Sequence, residues 1–339
     1  MIITGLDTYP TPPNYTVSLV DVTGKTIRTA TAANRSWSEI HFTDDGYGHP
    51  TSLPQVSASN DRAYYLDGES TVRYVALDGS SGLAHTLPAG TLTHATFAVS
   101  PDDQRIAVAI VDYPSVSTGS IHTRLYVEDL LGGGHHVDLF ESKSSVEWPI
   151  GWHAGQLVIG VAGGPYGQNP CDICAYRAYE YHVADATTAT RLATICSGRS
   201  GAVAFGLPTP GGIECEVHYG AQDHQSLIEG WDGSSRSIPA DVCGVGGPVS
   251  PDGRQIATGF RPQQPDGGCG SGASITLIDL SGKRVSTNAG GDAQGWVDSR
   301  HLVFQTPQGK LAIFDTSSGA VTPVDASGAM VGTLPGNLG

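Results

Sequence analysis

The chain alternates between short apolar stretches and polar turns along its whole length. Residues 105–111, for example, read Arg-Ile-Ala-Val-Ala-Ile-Val and follow a turn rich in Pro and Asp. Glycine (45 residues) and proline (21 residues) are spread evenly and separate these stretches from one another. No window has the sustained 3.6-residue apolar periodicity with caps that is expected of helices. The pattern therefore predicts an all-β protein made of many short strands.

One turn recurs between pairs of apolar stretches. Residues 99–107 contain Ser-Pro-Asp-Asp and residues 249–257 contain Ser-Pro-Asp-Gly, each followed by an apolar stretch. Proline presets the backbone φ angle at the first turn position, and Asp with Gly or Asn accepts the tight geometry that follows. We interpret each copy as the hairpin between the first and second strands of a repeated unit. Weaker copies lie at residues 56–63, 151–157, 206–213 and 296–302.

A second marker is an aspartate at the end of the third strand of each unit. The seven copies are Asp21, Asp78, Asp129, Asp185, Asp232, Asp279 and Asp315. Their spacing ranges from 36 to 57 residues. A repeat of about 40–50 residues with four strands is typical of a β-propeller blade. The two markers together predict a single domain, residues 1–339, folded as a seven-bladed β-propeller with four-stranded antiparallel blades.

Seven third-strand markers accompany only six first-to-second turns, because the N-terminus lacks a first strand. Residues 2–8, 15–22 and 25–32 are predicted as strands two, three and four of blade 1. We expect residues 329–334 to supply the missing first strand, so that both chain ends close one blade and no strand edge of the ring stays open. The predicted blades span residues 1–48 with 329–339, 49–90, 91–143, 144–198, 199–243, 244–290 and 291–328.

The recurring turn resembles the WD-like repeat of TolB-type β-propellers, whose blades carry a Ser-Pro-Asp-Gly signature before an apolar strand. The resemblance covers the whole chain as a periodic pattern, and residues 100–103 and 250–253 match the signature closely. It implies a propeller that is often exported and that serves as a binding platform or as the non-catalytic gate of a peptidase. The sequence contains no Gly-x-Ser-x-Gly nucleophile elbow, the mark of a catalytic α/β-hydrolase domain.

The formal net charge is −15, from 33 acidic and 18 basic side chains. A surface of this sign repels phosphate backbones and anionic lipids, so we expect no nucleic-acid partner. No apolar run reaches the about 18 residues that could span a bilayer, so we expect no direct membrane insertion of this segment. We interpret Met1 as the start of a trimmed chain whose export signal or anchor is missing from the sequence.

The six cysteines are an even set, and several lie in Gly- and Pro-rich loops. This usage favours disulfides formed in an oxidising compartment outside the cytoplasm. Cys243 is predicted to pair with Cys269, because both are expected on the long-loop face at blade 6.

The other four cysteines permit three pairings. Of these we favour Cys171 with Cys174 and Cys196 with Cys215. The Cys-x-x-Cys of residues 171–174 has the spacing of half a zinc site or of a redox motif. No second ligand pair and no thioredoxin-like βαβ pattern accompanies it, so we predict neither a metal site nor a cofactor.

The loops between second and third strands are uneven in length, whereas those on the opposite face are short. Long loops are expected at residues 111–122, 162–175 and 261–273. Variation on one face is typical of a binding surface on a rigid scaffold, although surface loops also tolerate insertions at little cost. The candidate contact residues there are Tyr113, Tyr166 and Arg261, since Tyr and Arg are enriched at binding hot spots.

Three more candidates, His94, Glu147 and Asp292, are expected at the starts of first strands, near the mouth of the central channel. Such groups could converge on a small ligand or ion. The alternative is a solvated channel lined by polar side chains without a specific role.

The uneven loops and the lack of a catalytic motif favour an exported, monomeric binding scaffold whose partner is a protein or a cell-surface glycan. The first alternative is a lyase or hydrolase with residues dispersed over several blades, because His94, His153, His182, His218 and His301 belong to five different blades. His135 and His136 precede a fourth strand and are interpreted as a solvated turn. The second alternative is the sensor domain of a membrane-anchored protein.

Overall fold

The structure is a computed structural model. It describes residues 2–5, 13–35, 40–43, 46–48, 55–112, 122–163, 178, 180–197, 207–218, 224–238, 246–260, 271–336 and 338. All regular elements in these ranges are β-strands, as predicted.

The structure describes seventeen strands between residues 2 and 195. They are β1 (Ile2–Gly5), β2 (Asn14–Val20), β3 (Thr26–Ala33), β4 (Ile40–Thr43), β5 (Gly46–Gly48), β6 (Val56–Ala58), β7 (Arg62–Asp67), β8 (Thr71–Ala76), β9 (Ser81–Thr86), β10 (Thr93–Val99), β11 (Arg105–Asp112), β12 (His122–Asp129), β13 (His136–Ser142), β14 (Ser145–His153), β15 (Gln156–Gly163), β16 (Glu180–Ala184) and β17 (Arg191–Ile195).

Residues 213–333 contain the described strands of the last three blades and the closing strand. They are β18 (Ile213–His218), β19 (His224–Glu229), β20 (Ser235–Ile238), β21 (Gln255–Phe260), β22 (Ser271–Asp279), β23 (Arg284–Ser286), β24 (Asp292–Trp296), β25 (His301–Gln305), β26 (Leu311–Asp315), β27 (Val321–Pro323) and β28 (Ala329–Thr333).

These strands form a seven-bladed β-propeller of antiparallel sheets. Blades 2, 3, 4 and 7 each contain four consecutive strands, β6–β9, β10–β13, β14–β17 and β24–β27. Blade 5 contains β18–β20 and blade 6 contains β21–β23 among the described residues, and a bridge between Val249 and Ile256 marks the first-strand position of blade 6. The short hairpin of β4 and β5, between blades 1 and 2, was not predicted.

Blade 1 is closed by both ends of the chain, as predicted. Its sheet has the order β28-β1-β2-β3. Ile2 pairs with Thr333 and with Val20, so the N-terminal strand lies between the C-terminal strand and β2. Closure of this kind removes the exposed sheet edge that an open ring would leave.

The apolar core is distributed between neighbouring blades. Successive residues of a strand point to opposite faces of the sheet, so each blade buries apolar side chains on both sides. Tyr64 packs towards blade 3, whereas Tyr65 packs towards blade 1. Likewise Ile2 packs against blade 7 and Ile3 against blade 2. Clusters of this kind join every neighbouring pair of blades around the ring.

The third-strand aspartates build local turns. In six of the seven copies, a side-chain oxygen accepts a hydrogen bond from the backbone N–H two residues later, at Asp21, Asp78, Asp185, Asp232, Asp279 and Asp315. The Ser-Pro-Asp turns are equally local. The Ser100 hydroxyl donates to Asp102 and the Ser250 hydroxyl donates to Asp252, each at 2.6 Å. Both sequence markers therefore correspond to turns held by local hydrogen bonds of their own side chains.

Candidate functional site

The first strands meet around the central axis of the propeller. β10 contacts β6 and β14, and β28 contacts β6 and β24. The starts of these strands, the loops between second and third strands and the connections between blades all lie at the same end of the ring. We call this end the loop face. Tyr113, Tyr166 and Arg261 lie outside the described residues, as do the three long loops predicted there except for their ends, which belong to strands.

His94 lies at the channel mouth on the loop face, as the second residue of β10, and is 7% exposed. Burial and, to a smaller extent, the positive charge of Arg35 lower its pKa from the ordinary 6.5 to about 4, while Glu69 partly offsets both effects. The buried guanidinium of Arg35 donates to the carbonyl oxygen of Ala95. His94 is therefore a neutral imidazole at pH 7, next to a fixed positive charge.

A second group of charged side chains lies in blade 3, further from the channel on the loop face. Asp112, the last residue of β11, accepts hydrogen bonds from the Thr93 hydroxyl (2.7 Å) and from Arg124 (3.1 Å). His122, the first residue of β12, lies 2.7 Å from Glu141 through Nε2 and 3.8 Å from Asp112 through Nδ1. These side chains are partly exposed, so their interactions are screened by solvent.

Blade 4 contributes a buried imidazole between two carboxylates. Glu147, on the first strand, lies level with Val161 and Glu180 across the sheet. Residues two apart on a strand share a face, so His182 lies on the same side as Glu180. His182 Nε2 donates to Glu180 at 2.6 Å, and His182 Nδ1 lies 3.4 Å from Glu147 Oε1. Glu147 and His182 are both almost fully buried.

On the inner side of this group, not every hydrogen-bonding atom has a partner among the described residues. The contact between His182 Nδ1 and Glu147 lacks hydrogen-bond geometry, and this nitrogen has no hydrogen-bond partner among the described residues. Among the described lysine and arginine side chains, the nearest to Glu147 is the half-exposed Arg191, at 3.9 Å. A buried carboxylate without strong partners is costly. The group therefore has acceptor capacity that the described residues leave unfilled.

The blade 4 group does not have the form of a closed metal site, because its two carboxylates approach opposite nitrogens of one ring. In the described part of the chain, Cys196, Cys215 and Glu229 are the only cysteine, histidine or carboxylate ligand atoms that converge within metal-binding distance. The two cysteines there are joined in a disulfide.

The disulfide connects the end of blade 4 with the first strand described in blade 5, across a Cα–Cα distance of 5.4 Å. It is the pairing favoured for Cys196 and Cys215 from the sequence. Glu229 adds to this link, because its carboxylate accepts a hydrogen bond of 2.6 Å from the backbone N–H of Cys196. The other predicted disulfide residues, Cys171, Cys174, Cys243 and Cys269, lie outside the described residues.

The sequence-derived candidates are only partly brought together. His94 and Glu147 lie near the starts of β10 and β14, which pack against each other. Asp292 is the exposed first residue of β24 in blade 7, and none of the described contacts joins it to them. Sequence reasoning did not select Glu180 and His182 together, although a Glu-x-His pattern on a strand places both side chains on one face. For Arg35 the sequence offers no comparable pattern that would mark it as a candidate site residue.

No protein-family model and no curated protein matches the chain. Among solved structures, it is similar to an oligogalacturonate lyase in complex with manganese, at 12% identity and a TM-score of 0.52, over 88% of this chain and 81% of that one. It is also similar to an oligogalacturonate lyase from Vibrio parahaemolyticus, at 10% identity and a TM-score of 0.51, over 92% of this chain and 96% of that one. Identities this low show the propeller fold alone. The TolB-type assignment stays a prediction.

None of the described segments is a helix long and apolar enough to cross a membrane.

Proposed function

We propose that this propeller is an exported binding scaffold whose loop face recognises a partner protein at the channel mouth of blades 3 and 4. The observation that carries the proposal is the pair of Glu147 and His182. Both are buried, His182 Nδ1 has no hydrogen-bond partner among the described residues, and Glu147 has there only the contacts of 3.4 Å to His182 and 3.9 Å to Arg191. A rigid propeller that holds unsatisfied polar groups at the mouth of its channel has the features expected of a recognition site.

The chemistry of this mouth favours a cationic group with hydrogen-bond donors. Glu147 and Glu180 flank His182, and Asp112 and Glu141 lie further out in blade 3. The net charge of −15 attracts basic partners over a longer range. A lysine or arginine side chain of the partner would donate to Glu147 and replace its distant contact with Arg191.

An array of peptides that carry lysine or arginine, printed beside the same peptides with acetylated lysine, tests this proposal. We expect the wild-type protein to retain basic peptides, to release them as the salt concentration rises, and to ignore the acetylated ones. Glu147→Gln should weaken binding by about tenfold or more, because it removes the charge from a buried acceptor.

The matched control is Asp298→Asn, which removes the same charge from the opposite face of the propeller, in the turn between β24 and β25. Binding by this variant should equal that of the wild type. Equal binding by Glu147→Gln and the wild type, or retention of glycans but of no basic peptide on a parallel glycan array, would overturn the assignment of a basic protein partner.

The second candidate function is an enzyme that uses His182 as a general base. It is favoured by the 2.6 Å hydrogen bond to Glu180, which fixes the proton on Nε2 and leaves Nδ1 as an acceptor on the side of the ring that faces Glu147. The neighbours named oligogalacturonate lyase act on a polyanion, which the carboxylates of this mouth would repel. An uncharged oligosaccharide fits the site better.

Turnover of a panel of charged and uncharged oligosaccharides separates the two functions. An enzyme would cleave at least one uncharged member, and His182→Gln would lower the rate by about a hundredfold or more, while His301→Gln on the opposite face would leave it unchanged. Such a result would replace the scaffold proposal. No cleavage, together with peptide binding that depends on Glu147, supports it.

A further inference from the structure

A cavity of about 100 Å³ lies at the end of the central channel opposite the loop face. Its walls come from four blades, because the first strands of the propeller end there and lead into the turns before the second strands. The cavity is open to solvent on one side. We call it the axial cavity, and the lining residues that matter most for its chemistry are Leu207, Pro210, Pro251, Trp296, Val297 and Met330.

The walls of the axial cavity are rigid. Pro208 and Pro210 precede β18 in blade 5, Pro251 belongs to the Ser-Pro-Asp turn of blade 6, and Pro335 follows the closing strand β28. Proline rings fix the backbone φ angle at all four positions. A ligand therefore does not have to order these walls when it binds, and this favours binding of even a small molecule.

The position of Met330 depends on the missing side chain of Gly295. Met330, on β28, is 5% exposed. A Cβ added at Gly295 would lie 2.9 Å from Met330 Sδ and 3.5 Å from Leu207 Cδ1. Both lining side chains therefore pack directly on the backbone of β24, next to Trp296.

The polar side chains of the lining already have acceptors within the protein. The indole N–H of Trp296 donates to the carbonyl oxygen of Pro248 at 2.9 Å. The hydroxyl groups of Thr209 and Thr333 donate to backbone carbonyl oxygens. No side chain among the described lining residues is charged. The axial cavity is therefore unsuited to an ion and suited to an apolar group.

The volume of the axial cavity limits its ligand to about one ring. An apolar cavity of about 150 Å³ in another protein holds one benzene molecule, whereas pockets for drug-sized ligands measure about 300–1,000 Å³. Two lining residues favour an aromatic ring over an aliphatic one. The indole of Trp296 forms favourable pairs with aromatic rings, and the thioether of Met330 makes favourable sulfur–aromatic contacts.

We propose that the axial cavity binds a small, uncharged aromatic molecule of one ring, for which toluene is the probe. The ring contacts Trp296 and Met330, and a substituent extends through the open side of the cavity. The site is independent of the loop face and of the partner proposed for it.

Methyl NMR of the full chain tests the proposal. The sequence contains two methionines, so protein labelled with ¹³C at the methionine methyl groups gives two signals, and Met330→Leu identifies the signal of Met330. Toluene should shift this signal until it saturates, with a dissociation constant on the order of 1 mM for so small a ligand. Benzoate carries a charge on the same ring and should bind at least about tenfold more weakly, because no cation lines the cavity.

Two variants fill the axial cavity from different blades. Val297→Phe adds volume from blade 7 and Leu207→Phe adds it from blade 5, and each should weaken toluene binding by at least about tenfold. Urea unfolding shows whether each variant is folded, and a disturbed fold in one leaves the other as the test. The matched control is Val285→Phe, since Val285 is 49% exposed on the outer strand β23 of blade 6. This variant should bind toluene like the wild type.

Three results would overturn the site. They are a Met330 signal that does not shift to saturation, toluene binding that is undiminished in a folded cavity-filling variant, and equal affinities for benzoate and toluene. Peptide binding at the loop face would be unaffected by any of these results.

Discussion

The Nδ1 atom of His153 donates a hydrogen bond of 2.7 Å to the carbonyl oxygen of Leu338, 185 residues further along the chain. The Leu338 side chain is 1% exposed and belongs to the core shared by blades 3, 4 and 5. On the way, Gly336 passes so close to the backbone of blade 2 that an added Cβ would lie 2.8 Å from the Ala58 carbonyl oxygen. The C-terminal segment therefore runs from blade 1 to blade 4 across the end of the channel opposite the loop face.

This crossing predicts that the last residues stabilise the ring. Leu338→Ala should lower the free energy of unfolding by about 2–5 kcal/mol, because it leaves a cavity where a buried leucine packed. The matched control is Leu131→Ala, since Leu131 is 86% exposed. Urea unfolding followed by tryptophan fluorescence measures both. Identical midpoints for the two variants would mean that the tail adds no stability.

The disulfide between Cys196 and Cys215 leads to a second prediction. Its sequence separation of 19 residues defines the loop that it closes. By the chain-entropy relation, a loop of this size corresponds to about 3 kcal/mol of stability. The double variant Cys196→Ala with Cys215→Ala should therefore unfold at a clearly lower urea concentration than the oxidised wild type.

Reduction of the wild type supplies the check on this second prediction. Dithiothreitol should move the wild-type transition towards that of the double variant and leave the variant itself less affected. A double variant as stable as the oxidised wild type would show that the disulfide does not raise the free energy of unfolding. Protein isolated without reductant should also lack free thiols at these two positions, as expected for an exported chain.

The repeat could be predicted because its markers act locally. Asp279 bonds to the backbone N–H of Ser281, and Ser250 bonds to Asp252, so each signature contains its own partner within a few residues. The closing strand was predictable for a different reason, since an unpaired first blade would leave an open edge.

Contacts that depend on the closed ring could not be predicted. His85 meets Glu128 across 43 residues, and His153 meets Leu338 across 185. Arg35 reaches β10 of blade 3 from the segment that follows blade 1. No periodicity specifies such pairs, because they arise from the geometry of neighbouring blades. The sequence placed His94 and Glu147 near the starts of first strands, where they lie in β10 and β14, while His182 and its partners emerged only from the structure.

A third prediction concerns the junction between blades 5 and 6. The fully buried Glu214 carboxylate accepts hydrogen bonds from the backbone N–H groups of Gly246 (3.0 Å) and Gly247 (2.7 Å). Glu214→Gln replaces one acceptor with a donor and leaves an N–H unsatisfied, which should cost about 1–3 kcal/mol. Glu141→Gln makes the same change at a side chain that is 68% exposed and should cost less than about 0.5 kcal/mol. Equal unfolding midpoints for Glu214→Gln and Glu141→Gln would contradict the role assigned to Glu214.

The last prediction concerns the pH dependence of stability that arises from His94. Burial and the charge of Arg35 lower its pKa from 6.5 to about 4 in the folded protein, against the opposing effect of Glu69. Between these two values the unfolded chain takes up a proton that the folded chain does not. Stability should therefore fall as the pH decreases from 6.5 towards 4, by up to about 3 kcal/mol in total.

His94→Gln removes this titration and should flatten the pH dependence over that interval. Aspartates whose pKa values are lowered, such as Asp298, lose their contribution only at lower pH, so they do not mask the effect. Urea unfolding at several pH values in the wild type, in His94→Gln and in His301→Gln as a surface control measures the slopes. The control should keep the wild-type slope, because His94 is buried at the channel mouth and His301 is not. An undiminished slope in His94→Gln would show that another group takes up the proton, and that His94 is already solvated in the folded state.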